Sequence, residues 1–402
     1  MRNPSGTRAR LAAVTLAASA LLAGEAGAQE RLVARGLLAT GPQFEQWTLT
    51  DGLPHSTGGT RLSRVAQWSV PVAASTAVGE QWTVDVMTAY ASGTVTLDRE
   101  DPVIGARELT LSGPTDVRVR ATGRFLGERL LLTLGANVPT GATELDAEQL
   151  TALRALSAPA FGLQAPLLGA GGAATAGLVY ALPVGAAWAW AFGTSYEYRA
   201  SYSPAAVSAG IATPNFSPAA AVHFSLGADG LVGRHGTTLT ASLDLFGEDR
   251  VGATSGATPP PTRLGPVATV DARLRLAAEG FRELTIYAVD RYRTSFERGG
   301  ESVPESAGNY LDAGVSAVRA LGARTGLLTG LNVRHHTGLA FDDGIQTAAA
   351  ALGALTLGVT HAFGSGLELA PFVRGQLGRV ESAGESSAAR GFAGGVTLTR
   401  RF

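Results

Sequence analysis

The chain has 402 residues, of which 52 are glycine and 45% are hydrophobic, enough for one large sheet or two ordinary domains. It has no cysteine, which excludes disulfides, thiolate metal sites and cysteine nucleophiles. The formal net charge is only −1, which argues against a nucleic-acid partner, since such proteins are usually basic.

The first 28 residues have the three parts of a secretory signal peptide. Three arginines precede an apolar run, 11–22, that is too short to span a bilayer, and an Ala-Gly-Ala cleavage site follows at 26–28. We therefore expect export and cleavage after Ala28, with residues 29–402 forming one domain. Because the removed segment has three Arg and one Glu, the formal net charge changes from −1 to −3.

Residues 186–202 alternate between two kinds of side chain. The odd positions are small or charged, whereas most even positions are aromatic: Trp188, Trp190, Phe192, Tyr196, Tyr198 and Tyr202. A β-strand sends successive side chains to opposite faces, so this pattern predicts a strand with one aromatic face. Aromatic residues at both ends of an apolar face are typical of outer-membrane barrels.

The same unit, an alternating segment followed by a connection, recurs along the chain. Segments 81–95, 116–125 and 267–278 each place their charged residues on one face only. The apolar run 166–193 is interrupted by glycine and proline, so it predicts two strands and a turn rather than a transmembrane helix. The Ala-rich run 346–363 is interpreted as another strand.

Short and long connections alternate in this scheme, as they do between the periplasmic and extracellular ends of outer-membrane barrels. The long connections include 96–113, 337–345 and 381–390, and connection 228–235 is of intermediate length. With 44–49 as the first strand and both termini in the periplasm, the count is about 16, with 14 as the alternative. The sequence therefore predicts an all-β fold, a closed antiparallel transmembrane β-barrel with long extracellular loops and one short loop helix.

The last strand has the pattern of a barrel's C-terminal strand. Thr397, Thr399 and Arg401 share one face, and the opposite face has the apolar residues Phe392, Val396, Leu398 and Phe402, interrupted by Gly394 and Arg400. This resembles the C-terminal signature that the barrel-assembly machinery reads. The resemblance implies assembly into the lipid of the outer membrane of a Gram-negative-type bacterium, with that machinery as a partner.

Residues 112–141 form a predicted hairpin that ends in a Pro139-Thr140-Gly141 turn. This hairpin resembles one in the long-chain fatty-acid and aromatic-hydrocarbon transporters, which include barrels linked to the phenol meta-degradation pathway. The resemblance implies the uptake of hydrophobic small molecules through an obstructed barrel.

Charged side chains on the polar faces of the predicted strands form the candidate lumen lining. An excess of arginine in a lumen favours anions, whereas a structural network of ion pairs filling a closed interior is the alternative. The candidates are Asp85, Arg118, Arg120, Arg124, Glu197, Arg199, Asp271, Arg273, Arg275, Arg334, His336 and Arg374.

The longest connection, 139–173, contains a helix signal. Thr143 and Asp146 have the spacing of a capping box, and four apolar residues follow on one side of the helix: Leu145, Ala152, Leu153 and Leu156. Loops of this length are usually functional or disordered. This one is interpreted as a constriction folded into the barrel mouth or as a holder of an apolar substrate, with a helix resting on the outer rim as the alternative.

His335 and His336 are neighbours on a predicted strand, so they point to opposite faces and do not share one metal ion. Outer-membrane phospholipases pair a serine with a histidine, but no nucleophile motif surrounds any serine here. We therefore expect an exposed or ion-paired His336. No Gly-rich phosphate loop or other cofactor motif is present, and no metal site or cofactor is predicted.

Three functions are compatible with this sequence. The first is an outer-membrane channel or facilitator for small solutes, hydrophobic ones included, and not an enzyme. The second is a barrel enzyme that acts on lipid or peptide, and the third is a non-transporting surface barrel with a blocked interior. The identity of the solute is not encoded in a recognisable motif.

Overall fold

The computed structural model describes residues 36–55, 60–99, 107–163, 169–203, 215–252, 259–304, 306–341, 345–382 and 384–402. The predicted signal peptide, 1–28, lies outside the described residues. One antiparallel sheet of 16 strands makes up most of the described chain, together with a single α-helix in that part.

The strands follow one another around the sheet in chain order. The first eight are β1 (Gly36–Thr40 and Gln43–His55), β2 (Thr60–Val78), β3 (Trp82–Arg99), β4 (Arg107–Pro114 and Val117–Phe125), β5 (Leu130–Val138), β6 (Ala173–Val184), β7 (Trp188–Arg199) and β8 (Ala221–Val232). The other eight are β9 (His235–Phe246), β10 (Val267–Arg275), β11 (Phe281–Arg293), β12 (Gly308–Ala320), β13 (Thr325–Phe341), β14 (Ile345–Ala362), β15 (Leu367–Ser382) and β16 (Glu385–Arg401).

The sheet closes where β1 pairs with both β2 and β16. At this seam the backbone N–H of Gly36 donates to the carbonyl of Phe402 at 2.9 Å, and the N–H of Phe402 donates back at 3.1 Å. The Phe402 ring lies over Gly36, so a Cβ on Gly36 would require the ring to move. The predicted closed barrel of 16 strands is confirmed, and the 14-strand alternative is wrong.

Several connections are shorter than the sequence predicted, because the strands extend further. β3 continues to Arg99, β13 continues to Phe341, and β15 and β16 approach each other to residues 382 and 385, so the predicted long connections 96–113, 337–345 and 381–390 were too long. Connection 228–235 is a tight turn at Gly233, whose φ is +63°. The error arose because these strand ends have glycine and polar residues, which resemble loop composition.

The barrel wall is higher on one side than on the other. Strands β2, β3 and β13–β16 have 16 to 19 residues, whereas β5–β12 have 9 to 13. Because each residue adds about 3.3 Å along a strand, the wall is higher where the strands are longer. We call β13–β16 and β1–β4 the tall side, and β5–β12 the low side. Short strands in the outer connections form a small second sheet: Phe216–Ser217, Glu248–Val251, Thr262–Arg263, Glu297–Arg298 and Glu301–Ser302.

One face of the wall is apolar and exposed. On β7, Phe192 and Tyr198 are 53% and 56% exposed, whereas Ala189 and Ala191 on the opposite face are buried. The same alternation occurs on β16, where Phe392 and Leu398 are exposed as predicted and Arg401 faces inward. A continuous exposed apolar belt is the lipid-facing surface of an outer-membrane barrel. No helix in the described residues has the length and apolar character needed to cross a membrane.

Candidate functional site

Helix α1, Ala147–Leu156, lies in the long connection between β5 and β6. Its N-cap is Asp146, whose carboxylate accepts from the N–H of Gln149 at 2.8 Å, while Oε1 of Gln149 accepts from the N–H of Asp146 at 3.1 Å. The predicted capping box of Thr143 and Asp146 is therefore wrong. A capping box needs Glu or Gln at its third helical position to reach back, and Gln149 supplies that side chain one turn later.

The helix lies inside the barrel mouth. Its buried residues join a cluster of inward-facing side chains from the tall side: Trp47, Leu49, Val65, Val95, Leu111, Leu352, Val380 and Ala389. These residues come from seven neighbouring strands, β14–β16 and β1–β4, and their side chains face the concave side. The helix lies against β2–β4, and Phe161, which follows it, packs on Trp47 of β1. The helix thus does not rest on the outer rim.

The three leucines predicted to define this helix all contact the cluster. Leu145 and Leu156 are buried, and Leu153 is partly buried against it. Leu145 precedes the helix in extended backbone, so it packs from the approach to α1 and not from the helix itself. Burial of each leucine contributes about 2 kcal/mol to holding the loop against the wall.

Trp47 connects the loop to the first strand. It is fully buried, its Nε1 donates to the carbonyl of Phe161 at 3.1 Å, and the two rings lie 6.2 Å apart. Trp47 Nε1 is also 3.2 Å from Oε1 of Glu45, which accepts from Nε2 of Gln376 at 2.9 Å. A polar chain therefore continues from the loop backbone into the wall at the seam between β1 and β15–β16.

Asp116 holds both ends of the loop. This buried residue lies at the break between the two segments of β4. Its carboxylate accepts from the N–H of Gly141 at 2.9 Å, the N–H of Ala170 at 2.8 Å and Nδ2 of Asn137 at 2.7 Å. These bonds offset the cost of burying a carboxylate, because they are charge-assisted.

Arg334 on β13 makes a third contact with the loop. Gly162, which has a φ of +61°, lies so close that a Cβ there would overlap the Arg334 guanidinium. The guanidinium carbon lies 5.8 Å from the Tyr310 ring centroid, and Nε lies 3.8 Å from Oδ2 of Asp312. Asp116, Trp47 and Arg334 therefore fix the loop at three places on different strands.

Most of the predicted lumen-lining charges are drawn into ion pairs on the inward face. Asp85 and Arg120 are 2.7 Å apart, Asp271 and Arg273 are 2.8 Å apart, and Oε1 of Glu197 is 2.6 Å from Nε of Arg199. Ser75 also donates to Asp85 at 2.7 Å. Arg124 pairs more loosely with Glu128, at 3.7 Å, close to a turn. The arrangement combines both sequence-based interpretations, an inward charge array and an ion-pair network.

The other predicted residues have different neighbours. Nε of Arg374 donates to the Thr356 hydroxyl at 3.0 Å, and Arg275 lies opposite Gly236 and Thr285 in the strand register. Arg118 is exposed on the inward face, and within the described ranges no carboxylate lies at ion-pair distance from it.

His336 differs from the sequence-based expectation of an exposed or ion-paired side chain. It is only 8% exposed and lies 6.5 Å from the Tyr310 ring, whereas His335 is exposed on the opposite face. The expectation failed because burial here comes from a residue on the neighbouring strand, which the local sequence does not reveal. Within the part of the chain that the structure describes, no serine hydroxyl hydrogen-bonds to His336 and no cluster of three or more metal-ligating residues is found.

Several residues at this site were not identified from sequence. His223 is one of them: its Nδ1 lies 2.8 Å from Oδ1 of Asp244, and its Nε2 lies 3.7 Å from Oε2 of Glu197. The other residues that the sequence analysis missed are Glu45, Trp47 and Asp116, which hold the loop. Asp116 had the one available signal, since it is on the polar face of a strongly alternating strand.

No family model matches this chain, and no curated protein sequence matches it. Solved barrels do resemble it. The low-pH structure of Pseudomonas putida OprB has a TM-score of 0.47 and 11% identity, over 94% of this chain and 96% of that one. The deltaS2 mutant of the TodX monoaromatic hydrocarbon channel has a TM-score of 0.44 and 9% identity, over 92% of this chain and 91% of that one.

An outer-membrane channel from Pseudomonas putida F1 has a TM-score of 0.36 and 12% identity, over 91% of this chain and 95% of that one. At these identities and TM-scores the similarities do not identify a solute. On its own strand pairing and surface, the chain is a closed 16-strand β-barrel of the outer-membrane type, with a loop folded into its mouth.

Proposed function

We propose that this protein is an outer-membrane channel or facilitator for small solutes, in which the loop 139–172 narrows the passage. The observation that carries this proposal is the uneven filling of the mouth. The loop packs against the tall side, whereas Arg291 on the low side is exposed on the inward face, as is Arg118 on the part of β4 outside the cluster. A barrel of this strand number is wide enough to hold an aqueous passage beside a loop.

The chemistry of the passage supports water-soluble solutes. The apolar side chains of the loop are used up in contacts with the wall, and inward positions of the barrel such as Asp85 and Arg120 are charged and about one-fifth exposed. Such a lining disfavours the hydrophobic solutes that the resemblance to fatty-acid and aromatic-hydrocarbon transporters implies. The inward charges Asp271, Arg273 and Glu197 would set the field along the passage.

Planar-bilayer recording of the purified, refolded protein tests the proposal. Stable unit currents in KCl are expected, together with uptake of small neutral sugars into liposomes that contain the protein. Heat-modifiable mobility on gels provides the control that the barrel has formed. Folded protein that passes neither ions nor sugars would refute the channel and favour a non-transporting surface barrel.

A further inference from the structure

We infer that the lumen has a binding subsite for small organic carboxylates on the inward face of β11–β13, formed by Arg291, Arg293, Arg334 and His336 around Tyr310. The inference rests on the proposed channel, because a solute reaches this face through the lumen. It goes further by naming the chemical class of the solute and the residues that bind it.

The strand register brings these residues together. Tyr310 on β12 is paired with Arg291 on β11 and with His336 on β13, so all three side chains share one face. Arg293 lies two residues beyond Arg291 on that face, and Arg334 lies two residues before His336. The Tyr310 ring centroid is 6.5 Å from that of His336 and 5.8 Å from the Arg334 guanidinium carbon.

Two glycines lie beside this group. Gly308 is paired with Arg293 in the register, and a Cβ there would lie 2.7 Å from the carbonyl oxygen of Thr337, so the backbones of β12 and β13 approach closely at this point. A Cβ on Gly338 would lie 3.6 Å from Cε1 of His336, and neither glycine adds a side chain beside the His336 ring. The part of the inward wall between Arg293 and Tyr310 is therefore short of side chains, although His336 itself is only 8% exposed.

This part of the wall contains buried polar atoms that lack hydrogen-bond partners. Neither ring nitrogen of His336 is hydrogen-bonded, and Nε of Arg293 is buried without an acceptor. Nε of Arg334 has only Oδ2 of Asp312 nearby, at the longer ion-pair distance of 3.8 Å. Folded proteins leave few such atoms, and each one calls for an explanation such as a bound ligand or water. Three such atoms from His336 and Arg293, of which His336 is 92% buried, indicate a site for a ligand that supplies hydrogen-bond acceptors.

The local charge favours an anion. Nη2 of Arg293 donates to the carbonyl of Ser306 at 3.2 Å, and Arg291, two residues away on the same face, has the same charge. Within the described residues, no carboxylate lies at ion-pair distance from either guanidinium, and the nearby Asp312 is engaged by Arg334 and by the Tyr287 hydroxyl at 3.2 Å. Guanidinium groups bind carboxylates through paired hydrogen bonds, and a tyrosine ring packs against an apolar body. Together these features fit a small carboxylate with an apolar part.

The subsite also adjoins the constriction, because Arg334 contacts both Tyr310 and Gly162 of the loop. A solute bound at this part of the wall therefore lies at the edge of the narrowed passage. At this position the loop 139–172 and strands β11–β13 would both contact a solute in the passage.

Benzoate is the probe for this subsite, with benzamide as its uncharged counterpart. In planar bilayers, benzoate is expected to reduce the KCl current in a saturable manner, whereas benzamide at the same concentration is not. Arg291→Gln is the principal variant, because Arg291 is exposed and makes no hydrogen bond or ion pair within the described residues, so the fold does not depend on it. It is expected to raise the half-blocking benzoate concentration about threefold, the effect of one charge about 7 Å away in water.

Arg118→Gln is the matched control, because it removes one exposed inward charge that has no carboxylate at ion-pair distance within the described residues, on β4, seven strands away from β11. This control is expected to leave the half-blocking concentration unchanged. Equal effects of the two variants, or equal block by benzoate and benzamide, would refute the subsite. Equilibrium dialysis of labelled benzoate against the detergent-folded protein measures binding without conduction. Silent bilayers with Arg291-dependent binding would overturn the channel alone, and conduction without such binding would overturn the subsite alone.

Discussion

Removal of the constriction loop is the most informative perturbation of this protein. Gly141 and Gly169 stand side by side at the base of the loop, where a Cβ on Gly141 would lie 3.0 Å from Cα of Gly169. Deletion of residues 142–168 therefore joins the two glycines without displacing β5 or β6. Asp116 keeps its bonds to Gly141 and Ala170, so the base of the loop remains anchored.

The size of the effect follows from the barrel dimensions. Strands spaced about 4.8 Å apart and tilted by about 40° give a 16-strand barrel a backbone radius of about 16 Å. Inward side chains occupy about 5 Å of that radius, half the distance between packed sheets, and leave an opening of about 380 Å². A helix of ten residues is about 15 Å long and about 10 Å wide, so α1 covers about 150 Å² of it.

With the segments that flank α1, the loop covers about half of the opening, so the deletion is expected to raise the unit conductance about twofold. The assay is single-channel recording in KCl, with heat-modifiable gel mobility to show that the shortened barrel has folded. The deletion exposes the apolar wall around Trp47, and Trp47→Gln within the deletion controls for collapse of that patch. A folded deletion variant with unchanged conductance would refute the placement of the loop in the passage.

Three further substitutions test single contacts. Asp116→Ala removes the acceptor for three hydrogen bonds and is expected to lower the local stability of the loop by about 3 kcal/mol. Limited proteolysis within 139–172 should become faster while the barrel stays intact. Unchanged cleavage would contradict the anchoring role of Asp116. Gly162→Ala places a side chain at a positive φ and against the Arg334 guanidinium, which loosens the contact between the loop and the wall. The conductance is therefore expected to become noisier and larger. A quiet current of native size would argue against that contact. Arg120→Ala leaves Asp85 without its ion-pair partner and is expected to lower the unfolding free energy by about 1 kcal/mol. The loss is small because solvent reaches both side chains. Urea titration in detergent measures the change, and an unchanged midpoint would show that the pair contributes nothing.

The strands were predictable because a membrane barrel imposes one rule on every segment. Lipid on one side and a polar lumen on the other force alternation, and the pattern from Trp188 to Tyr198 is its clearest case. The rule weakens above the membrane, where both faces are polar or contain glycine. For that reason the outer parts of β3, β13 and β16 resembled loops in the sequence.

The contacts of the candidate site were less predictable, because they join residues that are distant in the chain. The helix signal in the loop was visible, but its packing partners Trp47 and Val380 are brought together only when the first strand meets the last ones. The burial of His336 likewise depends on the neighbouring strand that supplies Tyr310. Only the polar face of each strand, and not the pairing of its charges, follows from local periodicity.

The central claim is that alternate residues of each strand face lipid and water, and thiol labelling tests it most directly. The chain has no cysteine, so single-cysteine variants need no prior background substitutions. In liposomes, a water-soluble maleimide is expected to label Ser195→Cys on β7 and Ser225→Cys on β8. It is expected to leave Phe192→Cys and Phe224→Cys unlabelled until detergent is added. Equal labelling of both sets in intact liposomes would contradict a lipid-embedded barrel with a hydrated interior.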